Sequence, residues 1–226
     1  MSIEYTASAS RYKVLPNFDT IPVMKRTIGV DEVGRGPIAG PLCVCAFWTY
    51  DSPSKLKSRI KKNDLKLTDS KKLSTRQREA WLKIIRIWKK EGNCDFAISY
   101  ISSGVIDKIG MSKALRLAVM RSLSKLSTVN TEVVLLDGSL YAPEQFKKQK
   151  TIIKGDEREP VISLASIVAK VFRDRLMHRH SKKYPEYGFE NHVGYGTRAH
   201  YRAITEVGLS PLHRQSFLKN FIPIVK

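Results

Sequence analysis

The stretch Thr27-Ile28-Gly29-Val30-Asp31-Glu32-Val33-Gly34-Arg35-Gly36-Pro37 (TIGVDEVGRGP) begins as a strand and ends as something else. Its first residues are mostly β-branched or apolar, but two adjacent carboxylates and a glycine-arginine-glycine turn follow. Aspartate and glutamate are poor strand residues, and burying charge is costly without compensation. A salt bridge, solvent at the strand end or a metal ion are the candidate compensations. Beyond the turn, PLCVCAFWT (41–49) is a second apolar run, so GRGPIAG reads as the loop between neighbouring strands. Cys43 and Cys45 share one face of that strand and read as small core residues.

Working outward, CDFAISYIS (94–102) alternates as a strand should, and EVVLLDG (132–138) has the short continuous apolar run of a strand covered on both faces. TIIKGD (151–156) reads as another strand. Ser74 or Thr75 caps an amphipathic helix, TRQREAWLKIIRIWKKEG, closed by Gly92. Helical spacing runs from Ser103 through Leu126, a long helix covers 161–183, and a shorter one lies near 197–207. The segment 55–73, with eight Lys/Arg against two Asp, reads as a solvated face. Together these predict an α/β domain with a mixed sheet and a helical C-terminal portion. Residues 1–25 form a lead-in, 26–184 the main domain and 185–226 a C-terminal helical subdomain.

The chain of 226 residues carries 40 Lys+Arg against 21 Asp+Glu, a formal net charge of +19. That excess favours a polyanionic partner, nucleic acid first and an anionic membrane surface second. No apolar run is long enough to span a bilayer and no secretory signal is apparent, while three cysteines without metal-type spacing suit a reducing cytoplasm.

Three features point to a site. Asp31 and Glu32 end one strand, and Asp137 ends another just before Gly138. In the otherwise apolar helix VISLASIVAKVFRDRLM (161–177), Ser163, Ser166, Lys170 and Asp174 fall at spacings of 3, 4 and 4 and form one polar stripe. Four carboxylates aimed at one point repel unless cations neutralise them. Oxygen-only ligands suit hard ions, so Asp31, Glu32, Asp137 and Asp174 are the candidate catalytic and metal-binding residues, with Mg²⁺ or Mn²⁺ in a two-ion site. In a basic protein that combination suggests phosphodiester hydrolysis. A basic RNA-binding protein without catalysis is the competing reading.

These residues resemble the ribonuclease HII family of bacterial type. The resemblance rests on IGVDEVGRGPIAGP (28–41), DSKKLS (69–74), VLLDG (134–138), SLASIVAKVFRDRLM (163–177) and YGFENHVGYGTRAHYRAITEVGLSPLHRQSF (187–217), in that order. It implies a ribonuclease H-like fold and an endonuclease that cuts the RNA strand of RNA–DNA hybrids. It also implies nicking 5′ to single ribonucleotides embedded in duplex DNA, leaving 5′-phosphate and 3′-hydroxyl ends. By the same resemblance Gly34, Arg35 and Gly36 grip the ribonucleotide's 2′-hydroxyl, Tyr195 stacks on the sugar at the junction, and Lys71, Ser166, Lys170 and His192 contact substrate. Val193 stands where lysine is common in the family, and Lys182 and Lys183 are candidate replacements. The related ribonuclease HIII group usually has an extra N-terminal domain, for which the lead-in is too short. His200 and His213 fit the family pattern as structural residues. Gln215–Phe221 loosely resembles a sliding-clamp-binding box but reads as packing for the tail, and the resemblance implies a monomer. A hybrid-specific ribonuclease that ignores single ribonucleotides stays open as an alternative.

Overall fold

A computed structural model describes residues 26–63, 67, 70, 72–126 and 133–221. The lead-in 1–25 and Lys71 lie outside the described residues. The sheet comprises β1 (Thr27–Val33), β2 (Leu42–Thr49), β3 (Cys94–Ile101), β4 (Val133–Asp137) and β5 (Gln149–Ile152), in the order β3-β2-β1-β4-β5. The short loop after β1 makes β2 antiparallel to it, and β3 is antiparallel to β2. The longer connections return β4 parallel to β1 and β5 parallel to β4. The mixed sheet expected from the sequence is therefore present.

Period-two alternation sends Cys43, Cys45 and Phe47 of β2 to one face and Leu42, Val44 and Ala46 to the other. The first face is covered by α1 (Pro53–Lys61), α2 (Thr75–Lys90) and the long helix α6 (Pro160–Lys183). The second is covered by α3 (Ser103–Ile109) and α4 (Met111–Ser124). Ser74 starts α2 with a capping box: its Oγ accepts from the Gln77 amide at 3.2 Å while Gln77 Oε1 accepts from the Ser74 amide at 2.8 Å. Among the described residues no helix is long and apolar enough to cross a membrane.

Three expectations change in detail. The basic segment after residue 55 is in part a helix, α1, which buries Leu56 and Ile60. The single helix expected from Ser103 breaks at Gly110, whose φ of 78° is outside helical space and separates α3 from α4. The strand expected over 151–156 stops at Ile152; Lys154 turns left-handed at φ 54°, and α5 (Gly155–Arg158) is one helical turn leading to α6.

A third apolar cluster joins the C-terminal segment to the body. Tyr187, Phe189 of α7 (Phe189–His192), Ala203 and Ile204 of α8 (Arg198–Val207) and Leu218 pack with Ile38, Ala39 and Met177. Backbone bonds from Ala39 N to Gly194 O (3.1 Å), Gly40 N to Leu212 O (2.8 Å) and Arg214 N to Ile38 O (2.8 Å) stitch this segment to the loop after β1. Within Gln215–Phe221, Leu218 is buried and the Phe221 ring lies 5.1 Å from that of Tyr201, whereas Phe217 is exposed.

Candidate active site

Strand register brings the acids together. Parallel pairing sets Val30 beside Leu136, so Asp31 and Asp137, one residue farther, stand side by side at the carboxyl ends of β1 and β4. Ligands of open α/β sheets bind at such ends. On the far side β5 pairs Ile152 with Asp137, and the turn after it brings back Asp156. One carboxylate oxygen each from Asp31, Asp137 and Asp156 lies within 4.8 Å of the others.

Each acid is held from behind. Asp31 is buried, and its Oδ1 accepts from the Glu32 amide at 2.7 Å. Burial pushes its carboxyl well above the usual range, and the charges of Glu32 and Asp137 push the same way. A hydrogen bond from Ser166 and the Glu32 amide work against that rise. Ser166 also meets Ser70, Oγ to Oγ, at 2.8 Å. Asp137 Oδ1 accepts from the amides of Gly155 (2.6 Å) and Asp156 (3.4 Å). A β-carbon on Gly155 would stand 2.6 Å from Ile162 Cδ1 and 3.2 Å from Asp137 Oδ1, so a side chain here would push on both Ile162 and the Asp137 carboxylate. The Ser163 hydroxyl donates to the Asp156 carbonyl, tying the turn to α6. The result is a recess of hard oxygen donors whose mutual repulsion a divalent cation would relieve.

The four acids expected from the sequence do not all meet. Glu32 adjoins Asp31 and its charge acts on that carboxyl, but it stands outside the three-oxygen group. Its Oε1 lies 3.9 Å from Arg35 Nη1. Asp174 lies apart from the three-oxygen group. Its Oδ1 accepts from Lys170 Nζ at 2.9 Å and its Oδ2 from Arg78 Nη2 at 3.5 Å, so it is buried among cations rather than acids. The physical reason is helical rise: Asp174 lies eight residues beyond Ser166, about 12 Å along the axis. The polar stripe is real, but its far end braces α2 and the loop before it. Arg78 also donates to the carbonyls of Ser70 (3.1 Å) and Leu73.

The acid that the sequence reading passed over is Asp156. Its signal was the one already used for Asp137, a carboxylate closing an apolar run, but reading TIIKGD as continuous strand concealed the turn.

Beside the acids, Arg35 is exposed and donates from Nη1 to Ser139 Oγ at 3.2 Å. Tyr195 is 43% exposed, and a β-carbon on Gly36 would sit 3.8 Å from its ring, so the glycine-arginine-glycine loop and the tyrosine adjoin. Two arginines that the sequence did not single out hold this arrangement. Arg214, fully buried, donates to the carbonyls of Gly34 (2.6 Å), Arg35 (3.0 Å) and Gly40 (3.0 and 2.8 Å). Arg173, also fully buried, donates to Pro41 O (3.0 Å) and Val193 O (2.9 Å). Desolvation pulls both guanidinium pKa values down, that of Arg214 to about 10. Val193 has φ 45°, unusual for a β-branched residue; its carbonyl serves Arg173 and its side chain packs on the third cluster.

His200 and His213 act through the backbone of the tyrosine loop. His200 Nδ1 donates to Tyr195 O at 2.8 Å, and its Nε2 faces His213 Nε2 at 3.0 Å. His213 Nδ1 accepts from the Ser210 amide at 2.9 Å, which leaves its Nε2 as the donor in a neutral pair. His192 stacks on His200 at 4.4 Å and is occupied with Tyr187 O and the Gly194 amide.

A family model described as ribonuclease HII matches residues 28–220. The chain belongs to the ribonuclease HII family. This is an endoribonuclease H family, and its members include one from Clostridium perfringens (strain 13), 43% identical over 199 residues, covering 88% of this chain and 68% of that one. The fold is also that of a ribonuclease HII from Archaeoglobus fulgidus solved in complex with PCNA (TM-score 0.67, 22% identity, 87% of this chain and 95% of the other). A third likeness is Bst-RNase HIII in complex with Mn²⁺ (TM-score 0.65, 19% identity, 90% of this chain and 71% of the other).

Proposed function

We propose that this chain hydrolyses the RNA strand of RNA–DNA hybrids and nicks 5′ to single ribonucleotides in duplex DNA. The observation that carries this reading is the meeting of Asp31, Asp137 and Asp156 oxygens within 4.8 Å beside the glycine-arginine-glycine loop. Asp31, Asp137 and Asp156 would hold divalent ions, with Glu32 adjacent, and Mg²⁺ or Mn²⁺ in a two-ion arrangement suits their oxygen-only chemistry. Such ions supply Lewis acidity at the phosphorus and a water of lowered pKa.

The chain's own residues do the rest. Gly155 and Ser166 fix Asp137 and Asp31 by hydrogen bonds before substrate arrives, so little reorganisation is left for the reaction. The Gly34–Gly36 main chain, clamped by Arg214, offers donors and acceptors to a 2′-hydroxyl, the group that distinguishes RNA from DNA. Arg35, exposed and, among the described residues, held only by Ser139 and a long approach to Glu32, can turn its fork onto a phosphate, and Lys170 of α6, now paired with Asp174, is a second candidate. Tyr195, held by His200, presents its ring to a sugar. Lys71 and His192 are proposed substrate contacts on the family resemblance; His192 itself is engaged in bracing the loop.

The test is a duplex containing one ribonucleotide, incubated with purified protein and Mg²⁺ or Mn²⁺. A single nick 5′ to the ribonucleotide is expected. Cleavage of long hybrids alone would favour the hybrid-specific alternative. Tight binding with no cut under either ion would leave a binding protein instead.

A further inference from the structure

A groove leads away from Arg35 over the face of the sheet that carries α4. Its near part, about 240 Å³, is lined by Arg35, Ser139, Arg116 and Tyr141. Its far part, about 590 Å³, shares Arg116 and Tyr141 and continues over Met120 and Glu144. The two hollows adjoin at Arg116 and Tyr141, and the nearer one reaches Ser139, two residues after Asp137.

Tyr141 is 64% exposed although its neighbours Leu140 and Ala142 are only 2% and 8% exposed. The loop carrying it is tied down. Thr151 Oγ1 donates to Leu140 O at 2.8 Å, Gln149 Oε1 accepts from the Ala142 amide at 2.9 Å, and Gln149 Nε2 donates to Ala142 O and Phe146 O, both at 3.2 Å. A rigid loop thus holds a large aromatic ring in water. Arg116 is exposed and makes no ion pair among the described residues. Two guanidiniums face the groove against one carboxylate, Glu144. Cationic forks and an outward ring are what a sugar-phosphate strand requires: phosphate contacts position the duplex, and an aromatic face packs without reading sequence.

We propose that this groove seats the backbone of one duplex arm flanking the cleaved ribonucleotide, with Arg116 on a phosphate and Tyr141 against the adjacent sugar. The inference rests on the proposed function and extends its substrate contact beyond the acids and the Tyr195 loop. It makes the enzyme sensitive to the length of one arm.

The experiment measures binding by fluorescence anisotropy in EDTA. The probes are duplexes with one ribonucleotide whose 5′ or 3′ arm is cut from a full helical turn to under half a turn. The full-length protein should lose affinity when one particular arm is cut. Tyr141→Ala should weaken binding of the long-arm duplex about fivefold and leave the short-arm duplex unchanged, while Tyr141→Phe behaves as the parent. Arg116→Ala should reduce the slope of log affinity against log salt by about one. Parental affinity of both alanine variants for the long arm would overturn the groove, as would an equal loss on short and long arms. A parent protein that shows arm dependence but never nicks would sink the nuclease reading and leave the groove standing. Nicking without arm dependence would do the reverse.

Discussion

Asp156 and Asp174 are both buried acids, but the charges around them are opposite. Asp156 shares its recess with Asp31 and Asp137, whereas Asp174 is bound by Lys170 and Arg78. Removing a charge from the acidic recess should remove catalysis and spare the fold; removing it from the cationic one should do the opposite. Asp156→Asn is expected to lower single-turnover cleavage at least about a hundredfold while keeping its thermal midpoint. Asp174→Asn should cost about 1–3 kcal/mol of unfolding free energy, read from denaturant titration, with cleavage by the folded protein close to the parent. The reverse ranking would return Asp174 to the site. Gly155→Ala is a third arm: the added β-carbon meets Ile162 and Asp137, so cleavage should fall sharply with secondary structure unchanged by circular dichroism.

At the scale of elements, the tyrosine loop depends on neutral histidines. Desolvation pushes His200 down to about 4, and His213 is lowered for the same reason. The sign follows from linkage. The unfolded chain takes up these protons near 6.5 while the folded chain refuses them, so stability is full above that pH and is lost as pH falls toward 4. Protonation also puts hydrogens on both facing Nε2 atoms, which ends the bond between His200 and His213. Thermal midpoints taken across that window should drop with acid, and the drop should be smaller in His200→Gln. An identical profile in the variant would count against the network.

The same elements show what could be read in advance. β1, β2, β4 and α6 declare themselves through apolar runs, and Asp31 and Asp137 through their place at strand ends. The polar stripe on α6 is legible from its spacing, but spacing gives a shared face and not a shared height along the axis, so it leaves open where Asp174 stands relative to Asp31. Arg173 and Arg214 left no local trace, since their acceptors are carbonyls 20 to 180 residues away. Asp156 was hidden by a left-handed lysine that no apolar pattern reports.

For the molecule as a whole, a net charge of +19 surrounds a recess that concentrates negative charge. The two parts should answer to different ions. Binding of a ribonucleotide-containing duplex in chelator is an affair of the basic surface, and a footprint of about six to ten phosphates would weaken it by about 10³–10⁵ between about 50 and 200 mM salt. The acidic recess should instead respond to Mg²⁺ or Mn²⁺ in the absence of nucleic acid. At about a hundredfold excess over its dissociation constant, an ion bound only by the folded chain adds about 2.7 kcal/mol to stability. Asp31→Asn separates these behaviours. It removes an acid that burial and neighbouring charge raise, so the metal-free variant should melt above the metal-free parent, and its stabilisation by divalent ion should largely disappear. Its salt dependence of duplex binding should stay parental, because the lysines and arginines are untouched. If the variant instead kept the full stabilisation by Mn²⁺, the ion would be bound elsewhere on the protein, and the three acids would have to be explained without it.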